Sequence, residues 1–436
     1  MLNNLVNKFR SVYRNEFIRN VLTLMTGTAL GQGLALLLSP VLTRLFTPKD
    51  FSAFEQYALL LSVFTVVITG RYEFAILHPN NREDARHIAA LAMRTAVKIC
   101  VVMLVLLIIF PGAIANYLHQ DELKWWLWTL PLALFAIAIF NTTNFWFSRE
   151  KDYRVAATSK MLYSFTGEPI KIAAGWFQTG TAGLIGGTVL GHLVAAWYSW
   201  KKFVISEAKK LSGLDPQKLR DLAKEHSAYP RYAVWGGILN NLAQWAHVAI
   251  FTLFYGEKAI IPIGMIALSR RIFFNPLGIL STSYGQVFYQ KISEITSPVE
   301  LRNFYLKNLF RFLIFSALLV VGVQLLPDQS LGIIFGEEWT DALPYLKILS
   351  YWYALNFVIG TLSFIFYRLQ LQWLTLAADI FHFLIVIAAF WFARATGQDE
   401  MGAIRMMVIA KVFYLVLNGL VVIGFLQRNC RRVNKS

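Results

Sequence analysis

Residues 84–110 read DARHIAALAMRTAVKICVVMLVLLIIF, a segment that is apolar after its first turn except at Arg94, Thr95 and Lys98. About 20 apolar residues span a bilayer as an α-helix, and segments of that length recur through the chain. The 436 residues are 56% hydrophobic and 15% charged, with a mean hydropathy of +0.50. This composition predicts an all-α, polytopic integral membrane protein. It leaves no room for a large soluble domain, which argues against a cytoplasmic enzyme or a nucleic-acid-binding protein.

Breaking the apolar segments at polar, proline and glycine turns predicts twelve transmembrane helices. They form two sets of six, because the longest polar stretch interrupts the chain near its middle. The expected helices cover residues 20–46, 50–78, 84–110, 124–148, 155–177, 182–204, 228–255, 259–290, 303–326, 342–367, 369–393 and 401–427.

The distribution of basic residues indicates the orientation, because insertion leaves Lys and Arg on the cytoplasmic side. The even-numbered loops and both termini hold 24 of the 41 basic residues, whereas the odd-numbered loops hold four. The sequence therefore predicts that both termini are cytoplasmic. The concentration of basic residues on the cytoplasmic side also explains the net charge of +16 without a nucleic-acid partner.

The same reading divides the chain into five parts. Apolar and basic side chains occupy different faces of the first helical stretch, which is typical of a helix that lies on an anionic membrane surface. We expect an interfacial helix at 1–19, an N-lobe at 20–204, a cytoplasmic linker at 205–227, a C-lobe at 228–427 and a basic tail at 428–436.

Thirteen basic residues remain within the predicted spans, where only four acids oppose them. A Lys or Arg at mid-bilayer costs about 2.5–3.5 kcal/mol on insertion scales. Cations near a helix end can extend their head groups to the membrane surface. This interpretation covers Arg44, Arg94, Lys98, Lys160, Lys307, Arg311, Lys347 and Arg405.

Five cations lie too deep for that explanation and are the candidate substrate-binding residues. They are expected to line an aqueous cavity, which would attract an anion because few acids oppose them. Interhelical salt bridges are the alternative, for example between Glu73 and Arg270. The five are Arg71, Lys171, Arg270, Arg271 and Lys411.

Other polar side chains within the spans are candidates for the same cavity. Asn240, Gln244 and His247 fall on one helical stripe beside Asn241, which could bond sugar hydroxyls or hold helices together. Gln32 offers an amide between two glycines, and Glu73 could partner a cavity cation. Asp379 and His382, three residues apart, are candidates for ion coupling, as is Glu168, although a buried structural pair is the alternative. These assignments use only the printed sequence.

Motifs for the common hydrolytic chemistries do not occur in the sequence. It has no Walker A loop, HExxH, GxSxG or Cys/His metal cluster, so no metal or cofactor is expected. Cys100 and Cys430 do not form a redox or metal spacing. Together with the short predicted outer loops, this argues against an enzyme.

Residues 44–54 read RLFTPKDFSAF and residues 70–76 read GRYEFAI. With the twelve-span layout, they resemble the polysaccharide transporter (Wzx-type flippase) family of the multidrug/oligosaccharidyl-lipid/polysaccharide (MOP) superfamily. The turn after the first span is typical of the family, although Ser52 stands where Gly is common. Arg71 and Glu73 match the charged end of the family's second helix.

The resemblance implies two pseudo-symmetric six-helix lobes around a central cavity that opens alternately to either side of the bacterial inner membrane. It implies a flippase that moves polyprenyl-diphosphate-linked oligosaccharides to the periplasmic leaflet for O-antigen or other surface polysaccharide. Cavity cations would bind the diphosphate. Membrane lipids, a polysaccharide polymerase and glycosyltransferases are the implied partners, with no nucleic acid.

Two other functions stay open from the sequence. A cation-coupled multidrug exporter of the same superfamily would need acidic and aromatic groups at mid-depth, whereas the excess here is basic. A membrane polysaccharide polymerase or ligase would need an extended outer loop, and the longest predicted one, at 327–341, has about fifteen residues.

Overall fold

Helices dominate the structure, as expected where no water is present to bond free backbone groups. The computed structural model describes residues 29–110, 112–207, 214–369 and 371–433, and these contain no β-strand. Residues 29–37 are helical. The labelled helices that follow are α1 (Ser39–Leu45), α2 (Pro48–Val67), α3 (Tyr72–Ala75), α4 (Arg82–Ile109), α5 (Ala113–Tyr117), α6 (Leu123–Trp126), α7 (Leu130–Arg149), α8 (Tyr153–Trp176), α9 (Thr181–Glu207), α10 (Pro216–Glu225), α11 (Val234–Tyr255), α12 (Ile260–Ser269), α13 (Asn275–Glu294), α14 (Pro298–Gln324), α15 (Ser330–Phe335), α16 (Ala342–Leu362), α17 (Ile365–Arg368), α18 (Gln372–Ala395) and α19 (Glu400–Val433).

Seven segments of the described chain are long and apolar enough to cross a membrane. One of them, Tyr229–Glu294, has 66 residues and contains two of the predicted spans. The long helices α8, α9 and α16 match three further predicted spans in position. The seven segments are Pro48–Val67, Arg82–Ile109, Leu123–Arg149, Tyr229–Glu294, Pro298–Gln324, Trp373–Ala395 and Glu400–Arg431. The chain is thus a multi-pass, all-α membrane protein.

The described helices pack into two compact units. The first contains the described residues up to 38 and within 60–238, and the second contains residues 39–59 and the described residues from 239 onward. The predicted N-lobe at 20–204 had included 39–59, which pack instead with the second unit. Two contacts hold this segment in the second unit. The indole Nε1 of Trp339 donates to the Thr43 carbonyl at 2.7 Å, and Gly264 lets the Pro48 backbone approach α12.

Within the first unit, α8 and α9 pack closely because glycines face each other. A Cβ on Gly187 would lie 2.8 Å from the Gly167 carbonyl oxygen, and one on Gly191 would lie 2.7 Å from the Tyr163 carbonyl oxygen. These distances are shorter than an ordinary contact. The glycine spacing of four in α9 therefore serves helix packing.

The predicted helix at 50–78 is wrong after residue 67, because α2 ends at Val67. Gly70 and Arg71 both have a φ of 61°, the left-handed region that glycine enters freely and arginine rarely does. The chain then resumes as the short helix α3. Arg71 thus lies in a turn rather than within a continuous membrane helix.

The predicted linker contains an amphipathic helix, α10, whose first turn is capped by the Asp215 side chain. The Lys218 ammonium bonds Glu83 at 2.9 Å and Asp84 at 2.6 Å, at the start of α4. The hydrogen bond to Asp84 raises the pKa of Lys218. The predicted interfacial helix at 1–19 lies outside the described residues.

Candidate substrate-binding site

Arg270 lies where the long helix that follows α11 changes its pitch. Residues Arg270–Phe274 form a π-helical turn between α12 and α13. Pro276 explains the change, because proline lacks an N–H and its ring clashes with the carbonyl four residues earlier in an α-helix. A wider turn relieves that clash. Such π turns are frequent at functional sites.

The Arg270 guanidinium contacts both an acid and an aromatic ring. It bonds the Glu55 carboxylate of α2 at 2.6 Å, and its carbon lies 4.2 Å from the centre of the Trp245 ring. Each side chain of the ion pair is about one-seventh exposed, at 14% and 15%. The salt bridge expected as an alternative, with Glu73, is therefore wrong in its partner, because Glu55 takes that role.

Aromatic rings link Arg270 to a second buried cation. The Trp245 ring stacks on His247 with centres 6.0 Å apart, and His247 lies 5.8 Å from the Trp352 ring. The Lys411 ammonium lies over Trp352, 3.8 Å from its centre. We call Arg270, Trp245, His247, Trp352 and Lys411 the cation–aromatic cluster. All five belong to the second unit.

Lys411 is fully buried, with no exposed surface. Its ammonium has no hydrogen-bond partner among the residues that the structure describes. The face of an indole stabilises a cation by roughly 2 kcal/mol when both are desolvated, which is less than water or a carboxylate provides. A buried ammonium that contacts a ring and has no hydrogen-bond partner in the described chain suits an anionic ligand.

The neighbouring Arg271 donates from Nε to the Ser39 hydroxyl at 2.6 Å. Its side chain is thus directed to α1 rather than to the rings of the cation–aromatic cluster. The two adjacent arginines of the π turn contact different helices, α2 and α1. The sequence predicts that both are deep cations, and in the structure each bonds a different helix.

Asp379 and His382 do not bond each other as the predicted relay would require. The amide of Asn240 donates to the Asp379 carboxylate at 3.1 Å, while His382 stacks on Tyr414 with ring centres 4.4 Å apart. The Nε2 atom of His382 has no partner within the described part of the chain. These groups connect α11, α18 and α19 inside the second unit.

The predicted polar stripe on α11 is divided by burial. Asn240 and Gln244 are exposed, Asn241 is half-buried, and His247 is buried in the cation–aromatic cluster. The His247 ring is held through Nδ1 by the Gln244 carbonyl at 3.1 Å. The two exposed amides face solvent, although that of Asn240 already donates to Asp379.

In the first unit, Arg71 is held in its turn by packing. Its guanidinium lies 5.1 Å from the Phe74 ring and packs directly on Gly237, where a Cβ would overlap it. Its Nε atom has no hydrogen-bond partner among the described residues. Glu73 is 2% exposed and accepts a hydrogen bond from Thr69.

Lys171 and Glu168 form a buried ion pair at 2.9 Å, one turn apart on α8. The pair explains how both charges are tolerated in the first unit. The structure therefore brings together a candidate diphosphate residue and a candidate ion-coupling residue, which the sequence had treated separately.

Gln32 is exposed and lines a groove of the first unit with Lys160, Ser164 and His192. The groove has a volume of ≈ 250 Å³. The amide of Gln32 thus lies in a largely apolar groove of this unit, beside Lys160, which the sequence assigns to the membrane surface.

Sequence reasoning missed the partners of the central cations. Glu55 entered only as one of four acids within the spans, and Trp245 and Trp352 were not singled out. Glu55 was detectable, because a carboxylate within an apolar helix needs a cation. Its pairing with Arg270, 215 positions away, has no local signal in the sequence.

Comparison with known proteins places the chain in a family. Residues 41–344, well over half of the chain, match the family described as polysaccharide biosynthesis protein. The comparison with curated proteins gives no significant match.

Solved structures resemble the chain over nearly its whole length. A MATE in the bent conformation is 15% identical, with a TM-score of 0.61, covering 97% of this chain and 98% of that one. The lipid II flippase MurJ in an inward closed conformation is 13% identical, with a TM-score of 0.69 and coverages of 95% and 90%. An inward-facing multidrug resistance MATE family transporter of the MOP superfamily is 15% identical, with a TM-score of 0.59 and coverages of 93% and 96%. The family and the fold class that the sequence predicted are both confirmed: the chain belongs to the polysaccharide biosynthesis protein family and has the MOP transporter fold.

Proposed function

We propose that this protein is a flippase for polyprenyl-diphosphate-linked oligosaccharide repeat units. It would move them from the cytoplasmic to the periplasmic leaflet of a bacterial inner membrane, for O-antigen or another surface polysaccharide. The observation that carries the proposal is the cation–aromatic cluster, in which the buried Lys411 ammonium has no hydrogen-bond partner among the described residues. The family description and the MOP fold support the same function.

The diphosphate would bind by exchange with Glu55. Arg270 presents a planar guanidinium that can bond two phosphate oxygens, and Glu55 pairs with it at 2.6 Å. A diphosphate that displaces Glu55 would also approach Lys411, whose charge has no competing carboxylate among the described residues. Both cations would then stabilise the head group outside water.

The sugars would need polar groups rather than charges. The exposed amides of Asn240 and Gln244 suit hydroxyl groups, with Asn241 and Gln32 as further candidates. Arg71, Arg271 and Lys171 remain proposed contacts for the diphosphate. The polyprenyl tail would stay in the bilayer, while alternating access moves the head group.

A driving ion is proposed at Asp379, His382 and Glu168. Asp379 already accepts a hydrogen bond from Asn240 of α11. Protonation of Asp379 would therefore weaken a contact with that helix. A polymerase and glycosyltransferases would consume and supply the glycan, and both termini would lie in the cytoplasm.

Delivery of surface glycan in cells tests the proposal. A strain without its own flippase should regain surface glycan with the wild-type protein, and should lose it with Arg270→Ala or Arg71→Ala at equal membrane abundance. Arg405→Ala, an exposed cation on α19, is the matched control and should retain activity. Full activity from both Arg270→Ala and Arg71→Ala would contradict the assigned site.

The rival functions have distinct readouts in the same experiment. A drug exporter would lower accumulation of organic cations without restoring the glycan. A polymerase or ligase would change glycan length when purified and mixed with the lipid-linked repeat unit. Either result, without translocation, would contradict the proposal.

A further inference from the structure

The first unit carries a second pair of cations, which the proposed transport function does not use. Arg94 and Lys98 lie four residues apart on α4, and both side chains are exposed. Neither forms an ion pair or a hydrogen bond with another described residue. Residues four apart share one face of a helix, so two unpaired positive charges lie side by side.

These cations line an open groove of ≈ 650 Å³ between three helices of the first unit. The other walls are apolar, because α4 contributes Val97, α7 contributes Phe135 and Ile139, and α9 contributes Trp200. A groove with two cations and hydrocarbon walls suits a ligand with an anionic head and an apolar tail. A free inorganic anion would leave the apolar walls unused.

The depth of the groove follows from an ion pair at one end of the helices. Arg86 of α4 bonds Glu207 of α9 at 2.8 Å, and both are buried. At 1.5 Å per residue, Arg94 lies about 12 Å and Lys98 about 18 Å beyond Arg86 along α4. Trp200 lies about 11 Å from Glu207 along α9. The lining residues therefore lie about 11 to 18 Å from this ion pair, along helices that extend into the membrane.

The Cβ bonds of a helix are directed to its N-terminus, which is the Arg86 end of α4. Both side chains can therefore extend toward the nearer membrane surface, as the sequence predicted. Lys98 starts too far along α4 to avoid the hydrocarbon, which is about 30 Å thick in all. A lipid phosphate drawn into the groove would meet Arg94 first and Lys98 below it.

We propose that Arg94 and Lys98 bind the head group of an anionic phospholipid from the surrounding leaflet, with its acyl chain against Val97, Ile139 and Trp200. The surrounding bilayer supplies phospholipid at high local concentration, and the groove is open to it. A net-negative head group matches two unpaired cations, whereas a zwitterionic head group brings its own cation beside them. In the proposed orientation this is the cytoplasmic leaflet, where basic pockets between helices bind anionic lipids.

Lipid binding to the purified full-length protein tests the proposal. Native mass spectrometry and thermal unfolding would compare phosphatidylglycerol with phosphatidylcholine, for the wild type and for Arg94→Gln/Lys98→Gln. We expect phosphatidylglycerol to bind more tightly than phosphatidylcholine and to raise the Tm. The double variant should bind phosphatidylglycerol about 30-fold more weakly, because each nearby cation contributes about fivefold.

Two controls keep the test decisive if the double variant folds poorly. Arg94→Lys/Lys98→Arg preserves both charges and should retain the lipid, and Arg405→Gln removes an exposed cation from α19 and should also retain it. Unchanged affinity in Arg94→Gln/Lys98→Gln would overturn the proposal. So would preferential binding of polyprenyl phosphate over phosphatidylglycerol, or equal protection by inorganic phosphate alone.

Discussion

Arg270 and Glu55 carry opposite charges 2.6 Å apart with little exposed surface, so neither can be removed alone without burying the other unpaired. Arg270→Gln should lower the free energy of unfolding by about 3 kcal/mol. Glu55→Gln/Arg270→Gln should recover most of that loss, because no lone charge remains. Transport should be absent in both variants, because the double variant still lacks the guanidinium.

The measurement is a double-mutant cycle of thermal stability, combined with surface glycan delivery. Glu257→Gln, which changes an exposed acid on the same unit, serves as the charge-matched control and should leave both properties unchanged. Transport by the stable double variant would show that Arg270 has a structural role only.

At Lys411, a substitution should raise stability while it lowers ligand affinity. Lys411→Met removes a fully buried ammonium that has no hydrogen-bond partner in the described chain, so the protein should become more stable by about 1–3 kcal/mol. Affinity for a diphosphate lipid should fall about 10- to 100-fold, as expected for a lost charge-assisted hydrogen bond.

Thermal unfolding and binding of a fluorescent polyprenyl diphosphate would measure the two effects of Lys411→Met. Arg405→Met provides the comparison on the same helix. Unchanged affinity in Lys411→Met would remove this residue from the site.

Among the helices, the packing of α8 on α9 gives a test with an internal control. Gly187→Ala would place a Cβ 2.8 Å from the Gly167 carbonyl oxygen, whereas Gly186→Ala meets nothing within 4 Å. We expect Gly187→Ala to destabilise the protein by about 1–3 kcal/mol. Gly186→Ala should be neutral or stabilising by up to about 1 kcal/mol, because alanine favours a helix more than glycine does. Equal unfolding temperatures for the two variants would contradict the close approach.

The helices also show how far the sequence could predict the fold. The start of α4 at Arg82 and the long segment from α12 to α13 follow from apolar length, and both were predicted within a few residues. The end of α2 at Val67 was not, because the left-handed Arg71 is held partly by a tertiary contact with Gly237, in addition to the neighbouring Phe74. Propensity alone does not indicate such a turn.

The candidate site was predictable in its cations but not in their partners. The depth of Arg270 and Lys411 within apolar segments identified both, because a charge inside the membrane is costly unless it has a partner or a function. Whether each cation meets a carboxylate, as Arg270 meets Glu55, or a ring, as Lys411 meets Trp352, depends on helix packing. Contacts between helices far apart in the chain are not encoded in local spacing.

For the whole molecule, the charge distribution predicts a topology that can be measured. Lys218 of α10 lies in a predicted cytoplasmic loop, and Glu257 lies in the turn before α12, which is predicted on the opposite side of the membrane. Lys218→Cys should react in intact cells only with a permeant thiol reagent, whereas Glu257→Cys should react with an impermeant one. The native Cys100 and Cys430 are buried, so their background should be low. Labelling of Lys218→Cys by the impermeant reagent would reverse the proposed orientation.

The most direct test of the account is translocation by the purified protein in liposomes. A polyprenyl-diphosphate oligosaccharide placed in one leaflet should reach the other with wild-type protein. It should not do so with Glu55→Gln/Arg270→Gln or Lys411→Met, although both variants are expected to remain folded. If both variants translocate the lipid as fast as the wild type, the cation–aromatic cluster does not hold the diphosphate.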